Sequence, residues 1–153
     1  MKKYIKYAIV FLSLGLACGV FYREFSKAYG VVNVYTTLGL AHTHFLVLGV
    51  AFILLIGLVT DKLDKHNNKL FTRAFTAYCV GVTGAGLTMV TRGIFDVLVK
   101  SDKMLYTVPS GLNGAISGIA GIFHAVLGVG LVLIFVSWLL SEKKPSTKQQ
   151  SND

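Results

Sequence analysis

At 153 residues, with 54% of them hydrophobic, 14% charged and a mean hydropathy of +0.64, the chain carries more apolar surface than a water-soluble domain of its size can cover. The formal net charge of +8 does not point to nucleic acid, because lysine and arginine are confined to short segments between apolar runs and no continuous basic face can form. What fits is an all-α integral membrane protein, a four-helix bundle over residues 1–140 with no room for a second domain.

A first span is predicted at about 4–22, behind Lys2, Lys3 and Lys6. The basic start followed by an apolar core resembles a signal peptide. The apolar stretch runs on to Tyr22 with no small-residue cleavage pattern behind it, and Leu16-Ala17-Cys18 is one residue short of a lipoprotein processing box, so a retained anchor is expected. Gly15 and Gly19 form a GxxxG pair suited to close helix contact. Residues 23–37 are mixed and rich in tyrosine and threonine. The second span, about 38–60, carries His42 and His44 at its start. The charged turn Asp61–Lys69, containing a solvated His66, leads to a third span at about 71–99. Pro109-Ser110-Gly111 signals the next turn, before a fourth span at about 114–140. The polar tail 141–153 is expected to be disordered. Cys18 and Cys79 fall at opposite depths on this path, too far apart for a mutual disulfide.

Orientation follows from the basic residues. Ten of the fifteen (Lys2, Lys3, Lys6, Lys62, Lys65, Lys69, Arg73, Lys143, Lys144 and Lys148) lie on the side of the termini, against Arg23, Lys27, Arg92, Lys100 and Lys103 on the other. The positive-inside rule then sets both termini in the cytoplasm and makes the chain a multi-pass protein of the cell membrane.

Helical periodicity assigns faces. Gly39, His42, Gly49 and Gly57 share one stripe of the second span, whereas His44 points about 160° away from His42. Ala74, Tyr78, Gly81, Ala85, Thr88, Arg92 and Asp96 share a stripe of the third, and Gly114, Ser117, Gly121, His124 and Gly128 one of the fourth. Small residues let membrane helices approach, so these stripes are expected to face the interior. Packing accounts for the glycines but not for the imidazoles, each of which needs a partner at depth. At 1.5 Å per residue His42 stands about 27 Å above Thr60, His124 about 24 Å above Leu140 and Arg92 about 33 Å above Leu70. Two inward imidazoles at similar height, on glycine-bearing helices, suit the axial positions of a b-type haem, with copper or zinc as the alternative metal. Arg92, farther out, suits a propionate, and Tyr106 or the 29–37 segment could cover the other. His44 is the alternative ligand to His42, and Met89, about 28 Å up its span, a candidate soft ligand.

Leu40-Ala41-His42-Thr43-His44-Phe45-Leu46-Val47-Leu48-Gly49 resembles the second helix of haem–copper oxidase subunit I and its nitric-oxide-reductase relatives. That resemblance implies a low-spin haem ligand at His42 alone. The other oxidase helices and the three-histidine copper site have no counterpart, so oxygen reduction and proton pumping do not follow. The whole chain resembles an uncharacterised family of small four-span bacterial membrane proteins, a domain of unknown function.

Competing readings are structural or proton-transferring histidines, and a local Arg92–Asp96 ion pair at i,i+4. No nucleophile with a partnered base, phosphate loop or zinc-protease spacing is present, so a redox carrier is a better expectation than a turnover enzyme. The alternative function is a cofactor-free accessory or structural subunit. Expected partners are membrane lipid and a larger membrane redox complex or further copies of the chain. A transporter fits poorly, since no pair of spans shows matching broken helices.

Overall fold

The computed structural model describes residues 1–32, 34–63, 68–101 and 109–140. All of its regular structure is helical: α1 (Lys2–Ala28), α2 (Leu38–His44) running without a break through a π-helical segment (Phe45–Phe52) into α3 (Ile53–Lys62), then α4 (Lys69–Lys100) and α5 (Ser110–Leu140). Taken as continuous rods, these are four helices long and apolar enough to cross a membrane. They start and stop within a few residues of the predicted spans, except that α1 runs on to Ala28 through the charged stretch Arg23–Lys27, whose Glu24 lies near both Arg23 and Lys27. The expected tail 141–153, His66 and Tyr106 lie outside the described residues.

The ends of the rods are chemically marked. α1 stops at Gly30, whose φ of +73° is open to glycine without a Cβ penalty. Gly30 N–H donates to the Lys27 carbonyl and Val31 N–H to that of Ser26, the paired bonds of a Schellman stop. Val31 then tucks against Phe25, the apolar contact that usually accompanies that motif. α4 begins at Asn68, whose side-chain oxygen accepts from Leu70 N–H.

The second span is the centre of one half of the molecule. α1 crosses one side of it: Gly49 faces Phe11, Gly57 faces Tyr4, and Gly15 faces Leu46 and Phe45. The glycine stripe of the second span and the GxxxG pair of α1 therefore meet each other. On the other side α4 brings Gly93 against the Leu38 backbone and Gly86 against the Phe45 ring. Tyr78, fully buried, donates its hydroxyl to the Leu48 carbonyl at 2.9 Å, giving the phenol the partner it needs and serving a carbonyl inside the π-helical segment. At the terminus-bearing end, the Met1 ammonium lies 3.1 Å from Asp61 Oδ1, and Trp138 Nε1 donates to Thr60 Oγ1 at 3.2 Å.

α5 lies on the flank and packs chiefly along α4. One expectation needs correcting here. The stripe Gly114, Ser117, Gly121, His124 and Gly128 does not face inward; a Cβ at Gly114, Gly121 or Gly128 would meet nothing within 4 Å. The contact is made instead by Phe123, Leu127, Gly130 and Ile134. Gly81 and Gly84 of α4 are hollows, and a hollow is filled by a large side chain: Phe123 lies over Gly84 and Leu127 over Gly81. Small residues on both helices at those points would have left voids.

A Cβ on Gly81 would stand 2.5 Å from the Leu127 backbone, which no rotamer change can relieve. Gly81→Leu and Gly49→Leu are therefore expected to lower the thermal midpoint in detergent clearly, by overpacking of at least about 1–3 kcal/mol, whereas Gly121→Leu should leave it unchanged. Equal tolerance at Gly81 and Gly121 would disprove this α4–α5 contact.

Candidate functional site

The two histidines at the start of the second span are served by different neighbours. Residues two apart on a helix point to nearly opposite sides, and α2 is sandwiched between other helices. His42 turns toward α1, where its ring lies nearly parallel to Tyr22 (centroids 6.5 Å apart, planes 11° apart) and beside Gly19. Its Nδ1 is buried and has no hydrogen-bond partner among the described residues. His44, half-buried, turns toward α5, and its ring centroid lies 5.7 Å from that of His124, the planes inclined at 68°.

The structure thus joins His44 to His124, and not His42 to His124. The depth estimate brought the right heights together; the face assignment failed because α5 presents its larger side chains to α4 and carries His124 at the edge of that contact. His124 is exposed on the side toward the second span. Its Nδ1 lies 2.8 Å from the Ala120 carbonyl. A proton on Nδ1 satisfies that carbonyl and leaves the Nε2 lone pair free, the arrangement common to metal-bound and proton-accepting histidines. Ser117, Gly121 and Gly128 lie within about 60° of His124 around α5, and the two glycines have open space above them.

Arg92 and Asp96 do not form the expected local ion pair; the ion pairs among the described residues are all elsewhere. Asp96 Oδ2 accepts from Thr37 N–H at 3.0 Å and from the Thr37 hydroxyl. A carboxylate from α4 therefore caps the start of α2 and complements the positive end of its dipole. The Lys100 ammonium donates to the Tyr35 carbonyl at 2.7 Å, so the same end of α4 also fixes the preceding segment. Arg92 remains exposed, with Nη1 3.4 Å from Ser117 Oγ. Ser117 is seven residues before His124, about 10 Å along the axis, so the guanidinium stands above the His44–His124 pair in the groove between α4 and α5.

Met89 is half-buried; among the described residues no group of three or more His, Cys, Asp or Glu side chains could hold a metal ion. The arrangement thus offers two imidazoles, with a guanidinium beyond them. Sequence reasoning missed Tyr22 as the neighbour of His42 and Thr37, there only part of the 29–37 segment, as the partner of Asp96. Neither carried a signal, because their partners are distant in sequence: Tyr22 meets His42 across two helices, and Thr37 meets Asp96 across 59 positions.

A model of one family, described as "Protein of unknown function (DUF2871)", matches residues 1–141. The chain belongs to the DUF2871 family. No match was found among curated proteins or among solved structures. Family membership brings no activity with it.

His42 tests the packing role separately from the imidazole pair. With a stacked ring and an unpartnered nitrogen, His42→Phe keeps the aromatic contact with Tyr22 and removes a buried polar atom. The variant is expected to match or exceed the parent in thermal midpoint. A marked fall would mean that Nδ1 has a partner essential to the fold.

Proposed function

We propose that the DUF2871 chain is a multi-pass cell-membrane protein in which His44 and His124 would hold a b-type haem between the second span and α5, and that it serves electron transfer. The observation that carries the reading is the 5.7 Å separation of the two rings. A metal–imidazole nitrogen bond is about 2 Å, so two imidazoles that would hold one iron need ring centroids roughly 6 Å apart. Two further features support it. The carbonyl of Ala120 suits the tautomer in which His124 Nε2 is free. Gly121 and Gly128 leave open space beside His124, into which a bound macrocycle could extend.

The bound group would supply a one-electron ferric–ferrous couple. The chain's own contribution would be to orient two imidazoles and to set a positive charge above them. Arg92, exposed above the pair, would meet a carboxylate of the bound group and would favour its less positive state, raising the reduction potential.

Both termini are assigned to the cytoplasm on the distribution of basic residues. Reporter fusions at the C-terminus are expected to be active only in cytoplasmic form; activity of a periplasmic reporter there would reverse the orientation.

Protein made with ample haem is expected to purify with a Soret band and, after dithionite, sharp α and β bands. His44→Ala or His124→Ala should abolish the six-coordinate low-spin spectrum, His42→Ala should retain it, and Arg92→Leu should lower the potential. Loss of the spectrum on His42→Ala alone would return the ligand assignment to His42. A colourless parent protein would end the haem reading and leave a cofactor-free accessory subunit.

A further inference from the structure

A second feature lies on the opposite side of α4 and is independent of the imidazole pair. Between α1 and α4 runs an open groove of about 570 Å³, walled by Val10, Phe11 and Leu14 on one side and by Cys79, Thr83 and Leu87 on the other. Toward the terminus-bearing end it meets a hollow of about 330 Å³ formed by Lys3, Lys6, Tyr7 and Val10; Tyr7 and Val10 line both. We infer that this continuous feature is a binding site for one anionic phospholipid, its phosphate between Lys3 and Lys6 and an acyl chain along the groove.

Length, wall chemistry and charge each favour that occupant. The α4 wall runs from Phe75 to Leu87, twelve residues or about 18 Å, close to one leaflet of a hydrocarbon core about 30 Å thick. The walls are mostly apolar, with Tyr7 and Cys79 as the polar-ended exceptions beside two threonines whose hydroxyls are engaged. Thr76 Oγ1 donates to the Thr72 carbonyl and Thr83 Oγ1 to that of Cys79, so neither hydroxyl proton is left for a ligand. At the mouth, Lys3 and Lys6 are exposed and make no ion pair among the described residues. Lys3 Nζ lies 5.8 Å from the centre of the Phe75 ring, so its stem covers apolar surface while its charge stays at the mouth. An unneutralised cationic pair at the head of an acyl-length apolar trough complements a lipid with an anionic head better than a zwitterionic one.

The full-length protein, purified in mild detergent and equilibrated with equal amounts of phosphatidylglycerol and phosphatidylcholine, is the material for the test, with retained lipid counted by native mass spectrometry. Phosphatidylglycerol is expected to be retained preferentially. The double variant K3Q/K6Q should lose that preference by roughly thirtyfold, the combined effect of two lysines beside an anionic headgroup. Thr83→Phe, which fills the trough, should reduce retention of both lipids, and Val10→Phe on the facing wall serves if Thr83→Phe does not fold. Inorganic phosphate should not displace the lipid, since the acyl chain supplies much of the contact; displacement by phosphate would reduce the site to a simple anion cup and overturn the proposal. Equal retention of the two lipids, or an unchanged preference in K3Q/K6Q, would also overturn it. Haem content enters none of these readouts, so the two proposals fail separately.

Discussion

Close backbone approach along α4 is the constraint on which the rest of the molecule depends. Gly93 admits the Leu38 backbone, Gly86 the Phe45 ring, Gly84 the Phe123 ring and Gly81 the Leu127 backbone. In hydrocarbon no hydrophobic force drives helices together, and association relies on the contact that small residues permit. α4 spends its glycines on two partners at once, the second span on one side and α5 on the other. That double use makes it the spine of the fold.

Polar groups follow from the same geometry. Once Leu38 is against Gly93, the start of α2 lies beside Asp96, and the carboxylate takes up Thr37 N–H and hydroxyl instead of pairing with Arg92. Once Phe45 is against Gly86, Tyr78 reaches the Leu48 carbonyl inside the π-helical segment. Such segments interrupt a regular helix and occur frequently near functional positions. Here the segment starts directly after His44. The histidine closest to the irregular backbone is the one that meets a second imidazole.

The two proposed sites divide the surface of the molecule between them. The imidazole pair and Arg92 lie along the seam where α5 passes the second span and α4, with open glycines beside them. The lysine-headed trough lies between α1 and α4, where α5 contributes Phe123 alone to the wall. An α5 lying flat across the centre would have closed both. Its position on the flank exposes His124 and leaves the α1–α4 groove unfilled.

The sequence by itself determined the four spans, because about 20 apolar residues suffice to cross hydrocarbon and charged or turn-forming segments separate the runs. It also determined that His42 and His44 face apart, since a two-residue step on a helix is local geometry. It located small-residue stripes on the second span and α4 that do pack. Only the tertiary structure decided which neighbour each imidazole meets. Periodicity gives a residue its angle on its own helix and says nothing of how helices are ordered around one another. For the same reason the α5 stripe was misread: a row of glycines marks close contact only if a partner occupies that side, and α4, already supplying hollows at Gly81 and Gly84, required large side chains in return. Asp96 followed the same logic, its i,i+4 neighbour Arg92 being outcompeted by a helix start 59 residues away that only the packed fold brings within reach.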